Sequence, residues 1–440
     1  MFKPCGPLAG QISVPGDKSI SHRALIFSAL AVGRSRITGL LEGEDVLATA
    51  DALRAMGARI EKNDDVWTVH GVGVGGLMQP DQALDMGNSG TSTRLLMGLI
   101  ASHAISATFV GDASLTKRPM GRVIEPLSAM GADIQARETA DHKSCLPLTV
   151  RGICPAIPLE YRLPVASAQV KSAILLAGLN TPGITRIIEP VLTRDHSETM
   201  LRGFGARIMV ETDAEGSRVI SLTGEAELQP QRIKVPGDPS SAAFLVVAAL
   251  IVPGSDIIIE NIGINPTRSG LFGILQEMGG DISFLKRRTV GGEPVADIQV
   301  RHSALVGVDV PADIAPSMID EFPILFVAAA LASGQTTTSG LHELRVKESD
   351  RLSQMAKGLS LLGVVLTEKD DGLVIEGSGG AALSGGRGKA VIETALDHRI
   401  AMSFAVAGLA TRSGLSIDDI KPVETSFPGF DNLLASLASR

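Results

Sequence analysis

Residues 14–23 read V-P-G-D-K-S-I-S-H-R, and their first four letters return as V-P-G-D at residues 235–238. The stretch reads as the end of a strand, a Pro-Gly break and the first turn of a helix. Ser19 and Arg23 lie four apart and so share a helix face, with Lys18 at its mouth. A helix start leaves unpaired N–H groups and a partial positive charge, which favour an anion. An ammonium, a hydroxyl and a guanidinium added there suit a phosphate or carboxylate. The same residues also fit an ordinary Ser-capped, solvated helix start. The recurrence of the pattern along the chain favours the anion site.

The recurrence is periodic. R-A-M-G-A-R-I at residues 54–60 is echoed by S-A-M-G-A-D-I, R-G-F-G-A-R-I and Q-E-M-G-G-D-I, and their glycines Gly57, Gly131, Gly205 and Gly279 are each 74 residues apart. A fifth copy, S-L-L-G-V-V-L, places Gly363 a further 84 residues on. Glycine in this place closes a helix at positive φ without a Cβ penalty. Unit starts repeat as well: V-P-A-D-I-A begins at Val310, while M-G-N-S-G-T at Met86 and L-P-V-A-S-A-Q at Leu163 hold equivalent places.

Within the first unit the pattern predicts a strand to Val14, a helix over 19–31, a strand over 35–41, a helix over 45–56 and short strands near Ile60 and Val69. That is β-α-β-α-β-β. The extra strands and the long period fit a doubly wound sheet or a TIM barrel poorly. The chain ends near where a sixth such helix would finish, and six units imply two domains of three, with the twin V-P-G-D stretches as the crossovers. The expected division is 15–235 for the first domain and 1–14 plus 236–440 for the second.

Composition agrees with a soluble, two-domain protein: 440 residues, 44% hydrophobic and 20% charged. A net charge of −8, with one Trp and one Tyr, argues against a nucleic-acid partner. Cys5, Cys145 and Cys154 form no C-x-x-C pair and suit a reducing compartment. The first ten residues carry Pro and Gly where a signal peptide needs an apolar run. Apolar stretches fall short of the ~18 residues of a membrane span. The expectation is a cytoplasmic enzyme with no membrane partner.

Several further stretches combine charge with turn chemistry. G-N-S-G-T at 87–91 could turn backbone N–H groups toward a phosphate, or be a Gly-rich turn. L-T-K-R-P at 115–119 sets two cations before a proline-initiated helix. Ser167-Ala168-Gln169 caps a helix, and Thr193-Arg194-Asp195-His196 starts another, where Arg194 also fits a structural ion pair. Asp320 and Glu321 sit beside the apolar run 324–331 and could accept protons, or simply occupy a first helical turn. R-V-K-E-S-D-R at 345–351 packs five charges into seven residues, with Lys347 and Arg351 sharing a helical face and Glu348 beside them, or is simply a salt-bridge-laced helix. Asp397-His398-Arg399 opens the last unit's helix.

Other signatures fail. There is no P-loop, and the G-x-G-x-x-G at 71–76 is followed by Pro80 and polar residues instead of a helix. The histidines lack zinc spacing. Ser114-Leu115-Thr116-Lys117 matches S-x-x-K without its S-D-N and K-T-G companions.

Taken in order, P-G-D-K-S-I-S-H-R-A-L, G-N-S-G-T-S-T-R, L-T-K-R-P-M-G-R, A-S-A-Q-V-K-S-A, T-R-D-H-S-E, S-M-I-D-E-F-P, R-V-K-E-S-D-R and D-H-R-I-A-M resemble the 5-enolpyruvylshikimate-3-phosphate (EPSP) synthase family, in a flavour similar to its class II bacterial subgroup. The resemblance implies a two-domain inside-out α/β barrel of six β-α-β-α-β-β repeats, three per domain, joined by two interdomain crossovers with the active site in the cleft. It implies transfer of enolpyruvyl from phosphoenolpyruvate to the 5-hydroxyl of shikimate 3-phosphate, on the way to chorismate and the aromatic amino acids. It further implies a monomer and no metal or organic cofactor.

By position, Lys18, Ser19, Arg23, Ser167, Ala168, Gln169 and Arg194 resemble the shikimate-phosphate contacts, with Asp320 and Lys347 also on that substrate. Lys18, Gly90, Arg118, Gln169, Arg351 and Arg399 resemble the phosphoenolpyruvate contacts. Asp320 resembles the base at the attacking hydroxyl; Glu348, with Lys18, resembles the acid at the methylene carbon. Glyphosate competes with phosphoenolpyruvate in this family, so Gly90 implies sensitivity to it.

The pattern departs from the family at Thr425, before Ser426-Phe427-Pro428, where many relatives carry Lys; Lys421 is four residues earlier. The sister transferase acting on UDP-N-acetylglucosamine usually has a cysteine before its A-R-P, whereas residues 111–119 here have Ala113 and no Cys. A non-catalytic anion-binding scaffold would have dispensed with Asp320 or Glu348, and both are present.

Overall fold

A computed structural model describes residues 1–384 and 391–438. The chain forms two compact units, Met1–Asp17 with Pro236–Thr289 and Glu293–Arg440, and Lys18–Val235 with Val290–Gly292. Each unit has its own hydrophobic core.

The 74-residue period is a structural repeat. Gly57, Gly131, Gly205, Gly279 and Gly363 all stand just after a helix at φ between 82° and 103°. The Lys18–Val235 unit holds three four-stranded sheets, each with one parallel and two antiparallel pairings. The other unit repeats this in the sheet containing Asp256–Gly263, then has a three-stranded and a two-stranded sheet among the described residues. In the three-stranded sheet, Val306 and Asp309 make parallel bridges where a first strand would lie.

Sequence order and sheet membership part company at the twin V-P-G-D stretches. The strand Ala9–Ser13, which leads into the helix Lys18–Leu30, pairs in parallel with Asp256–Gly263. The vacancy it leaves is filled by Arg232–Lys234, paired in parallel with Arg36 to Thr38. The two stretches then bind one another: Asp17 N–H donates to Pro236 O (2.8 Å) and Asp238 N–H to Pro15 O (2.9 Å). These reciprocal bonds put Pro15, Gly16 and Asp17 with the carboxy-terminal half, so the units divide at Asp17/Lys18, three residues beyond the expected break.

Beneath this crossing lies Arg268, buried, with guanidinium nitrogens 3.1 Å from Asp238 and 3.7 Å from Asp17. Burial alone would lower its pKa, but Asp17, Asp238, Glu321 and Asp320 carry it well above the ordinary value. It remains a cation.

The opening helices of the repeats are buried on nearly every side. In one unit these are Lys18–Leu30, Gly90–Ala101 and Ala168–Leu179; in the other, Pro239–Ile251, Phe322–Leu331 and His398–Leu409. Gly98 permits close approach of the second to the third helix, since a Cβ there would sit 2.2 Å from Ala173 O. Helices buried on this many sides pack inside the sheets of their own unit, and this brings the first turns within each unit together.

Candidate active site

In the Lys18–Val235 unit the first turns meet as a polar cluster. Arg23 donates from Nε to Ser197 Oγ (2.8 Å), from Nη2 to Ser172 Oγ (2.7 Å) and from Nη1 back to Ser19 O (2.9 Å). Arg94 Nη1 donates to Gln169 Oε1 (2.7 Å), and Gln169 Nε2 to Thr91 Oγ1 (2.9 Å). Arg118 donates to Asn88 O (3.2 Å) and Ser114 Oγ (3.1 Å), one residue from the cap Ser89. Lys18 pairs with Asp45. Ser89 and Ser167 cap their helices by accepting from Ser92 and Val170 N–H.

None of these three helices has an acidic residue in its first turn. The helix dipoles and three arginines therefore leave this end suited to anions. Lys18, Ser19, Arg23, Gly90, Arg118, Ser167, Ala168 and Gln169 all lie in or beside it. Arg194 is half-buried on the segment ahead of the helix His196–Gly203, whose Ser197 contacts Arg23.

Arg94 is the contact that residue-by-residue reading misses. Its signal was present in the N-S-G-T-S-T-R stretch, four residues after Gly90. A Cβ on Gly90 would stand 3.1 Å from Arg94 Nη1 and 3.3 Å from Arg118 Nη1.

His22 lies under this cluster, with Nδ1 2.8 Å from Thr49 Oγ1 and 3.5 Å from Ser92 Oγ. Burial, then Lys18 and Arg23, hold its pKa well below 6.5, so the folded protein keeps it neutral. As pH falls below 6.5 the unfolded chain takes up a proton that the folded chain refuses. Stability should then fall by up to about 1.4 kcal/mol per pH unit. Urea unfolding between pH 6.5 and 5 should show a shallower pH slope in His22→Asn than in the parent. Equal slopes would count against this account.

The other unit reverses the electrostatics, because its helix starts carry acids. Asp238 and Asp397 cap their helices through the N–H groups of Ser240 and Arg399. Glu321, at the start of Phe322–Leu331, accepts from Ser240 Oγ and from Arg399 Nη1 (3.3 Å). Arg399 also donates to Asp320 O (3.0 Å).

Arg351 is the hub of this cluster. It pairs with Glu348, reaches Asp320 Oδ1 at 3.2 Å and holds Asp397 Oδ2 at 2.8 Å. Lys347 Nζ lies 3.5 Å from the same Asp320 oxygen. Burial would raise the pKa of Asp397, but Arg351 outweighs it and holds the carboxyl below its usual range.

The expected helix through 345–351 is absent. A 3-10 turn, His342–Val346, ends at Lys347, and the helix Arg351–Leu361 begins four residues later behind the cap Asp350. The reason is competition from Asp350, whose carboxylate caps Ser353 N–H (3.1 Å) and pairs with Arg345 (2.9 Å). Lys347 and Glu348 consequently sit on a turn, from which both reach Asp320 or Arg351. The helix after Lys117-Arg118-Pro119 likewise starts later than expected, at Gly121. Thr425 lies in the 3-10 turn Lys421–Thr425 and donates to Pro422 O (2.7 Å), while Lys421 is exposed.

Two α/β units built of repeated βαβαββ modules, one presenting cations and the other carboxylates at converging helix starts, have the architecture of the enolpyruvyl transferases. NikO of Streptomyces tendae, a solved enolpyruvyl transferase, shares this fold with TM-score 0.76 at 19% identity, over 99% of this chain and 96% of that one. Solved EPSP synthase from Acinetobacter baumannii matches with TM-score 0.86 and 47% identity, over 99% and 97% of the two chains. The family described as EPSP synthase (3-phosphoshikimate 1-carboxyvinyltransferase) matches residues 2–434, and the chain belongs to it. Relatives named 3-phosphoshikimate 1-carboxyvinyltransferase are 66% identical in Novosphingobium aromaticivorans, over 99% of this chain and 98% of theirs, and 67% identical in Zymomonas mobilis, over 98% and 95%.

Proposed function

We propose that the chain transfers enolpyruvyl from phosphoenolpyruvate to the 5-hydroxyl of shikimate 3-phosphate, giving 5-enolpyruvylshikimate 3-phosphate and phosphate. The observation that carries this reading is the end-to-end family match, with its relatives near 66% identity. Both substrates carry a phosphate and a carboxylate, which explains a cation-rich cluster in a chain of net charge −8. Charge-assisted hydrogen bonds of about 1.5–3 kcal/mol each then hold the reactants in place.

Lys18, Ser19, Arg23, Ser167, Ala168, Gln169 and Arg194 take shikimate 3-phosphate, with Asp320 at its attacking hydroxyl and Lys347 a further contact to the same substrate. Lys18, Gly90, Arg118, Gln169, Arg351 and Arg399 take phosphoenolpyruvate. Addition needs a base at the hydroxyl and an acid at the methylene carbon, and elimination then expels phosphate. In this reading Asp320 serves as the base, and Glu348 with Lys18 as the acid. Phosphate release should require both substrates; release with UDP-N-acetylglucosamine in place of shikimate 3-phosphate would support the sister transferase instead. We further take the protein to act as a cytoplasmic monomer, which sedimentation and fractionation test; no single helix among the described residues is long and apolar enough to cross a membrane.

The Gly90 contacts give the herbicide expectation a physical form. A methyl at this position presses on the Arg94 and Arg118 guanidiniums. Glyphosate spans more bonds between its phosphorus and carboxylate than phosphoenolpyruvate does, so it has less slack. Overpacking of about 1–3 kcal/mol corresponds to a rise of roughly tenfold or more in its inhibition constant for Gly90→Ala. Equal inhibition constants in parent and variant would reject this.

A further inference from the structure

Lys171 is fully buried in the helix Ala168–Leu179, two residues beyond Gln169. Its Nζ lies 2.9 Å from Glu189 Oε1, at the end of the strand Ile184–Glu189, and 2.9 Å from Glu198 Oε1, in the helix His196–Gly203. Both carboxylates are as buried as the lysine. Arg218, in the strand Arg218–Thr223 that pairs antiparallel with Ile184–Glu189, adds a weaker cation 3.8 Å from Glu198 and 3.7 Å from Asp195.

The two glutamates bracket the segment that carries Arg194. Glu189 Oε1 accepts from Thr193 N–H at 3.1 Å and from the Thr193 hydroxyl. Ser197 is 2.7 Å from Ser172 Oγ, next to Lys171, and accepts from Arg23. The apolar residues of this segment give it no such anchor: Val191 and Leu192 are 48% and 51% exposed. Polar contacts, those to the helix Ala168–Leu179 among them, therefore help set where the segment lies.

A buried ion triad does not stabilise a fold by default, because desolvation offsets much of the attraction. What it does supply is proximity: one buried ammonium 2.9 Å from each carboxylate holds both close to its own helix by charge attraction. That helix bears Ala168 and Gln169 at its start, and the fixed segment bears Arg194.

We propose that Lys171 is a positioning residue: through Glu189, Glu198 and Thr193 it places Arg194 against the same phosphorylated hydroxy acid that Ala168 and Gln169 bind. The inference rests on the reading of Arg194 as a shikimate 3-phosphate contact. Lys171 does not touch substrate; it acts through the segment it holds.

Lys171→Met would leave two carboxylates buried against an apolar group and could prevent folding, so the decisive variant is Thr193→Val. It keeps shape and charge and removes one hydroxyl bond to Glu189. The KM for shikimate 3-phosphate should rise about fivefold or more, with the KM for phosphoenolpyruvate within about twofold of the parent. Thr193→Ser, which restores the hydroxyl, should recover the parent value. No change in either KM, an equal rise in both, or no recovery in Thr193→Ser would overturn the proposal. Arg194→Gln separates the levels. If it raises the same KM while Thr193→Val does not, the positioning role alone falls; if it leaves that KM unchanged, the substrate reading falls and takes this inference with it.

Discussion

Replacing Glu348 by glutamine is expected to lower kcat by about 10²–10⁴-fold with the protein still folded. Glutamine keeps the length of the side chain and an oxygen that can accept from Arg351, but it cannot deliver a proton at neutral pH. Three carboxylates surround Arg351, and their exposure separates their tasks. Asp397 is 0% exposed, is held ionised by Arg351 and caps the helix His398–Leu409. Glu348 and Asp320 have side chains 23% and 14% exposed, so these two can meet a substrate. Removing one charge from the group still leaves Arg351 paired with the other two, which is why the fold should survive. Asp320→Asn should also depress kcat by removing the proposed base, and it takes a partner from Lys347. Stopped-time phosphate release with both KM values measured would decide; a kcat within about threefold of the parent would remove Glu348 from proton transfer.

The parts legible in the sequence were those written in local patterns. The helix-closing glycines from Gly57 to Gly363 announce a repeat because a positive φ after a helix demands glycine at one fixed place. Cap and charge motifs placed Ser167, Arg23 and Arg399 at helix starts. Pairing between distant strands was only half legible. The twin V-P-G-D stretches marked the crossovers, yet no local feature says that Arg232–Lys234 completes the sheet of Val32–Thr38. The turn at Lys347 was hidden because the charges of residues 345–351 match helical spacing, and the competing cap, Asp350, is itself one of those charges. Lys171 and Arg268 were illegible for a further reason. A cation in an apolar pattern carries no sign of its partners, and here the partners come from 18 to 251 residues away.

Arg268→Met should lower stability by about 3–5 kcal/mol, the usual cost of removing one partner from a buried charge group. The arginine is 4% exposed, between Asp17 and Asp238, and its Nη2 donates to Ser240 Oγ at 2.7 Å. Ser240 in turn donates to Glu321, which receives Arg399. Methionine fills much of the volume but leaves the acids of both crossovers facing an apolar chain. The cost therefore comes from stranded carboxylates, and this makes a second variant informative. Adding Asp238→Asn to Arg268→Met removes one stranded charge while retaining a side chain that caps Ser240 N–H, since asparagine caps as well as aspartate. The double variant should accordingly be more stable than Arg268→Met alone, although each change by itself is destabilising. Urea unfolding followed by far-UV circular dichroism measures all three midpoints. A double variant less stable than the single one would mean that Arg268 acts through packing, because only charge repair predicts a recovery.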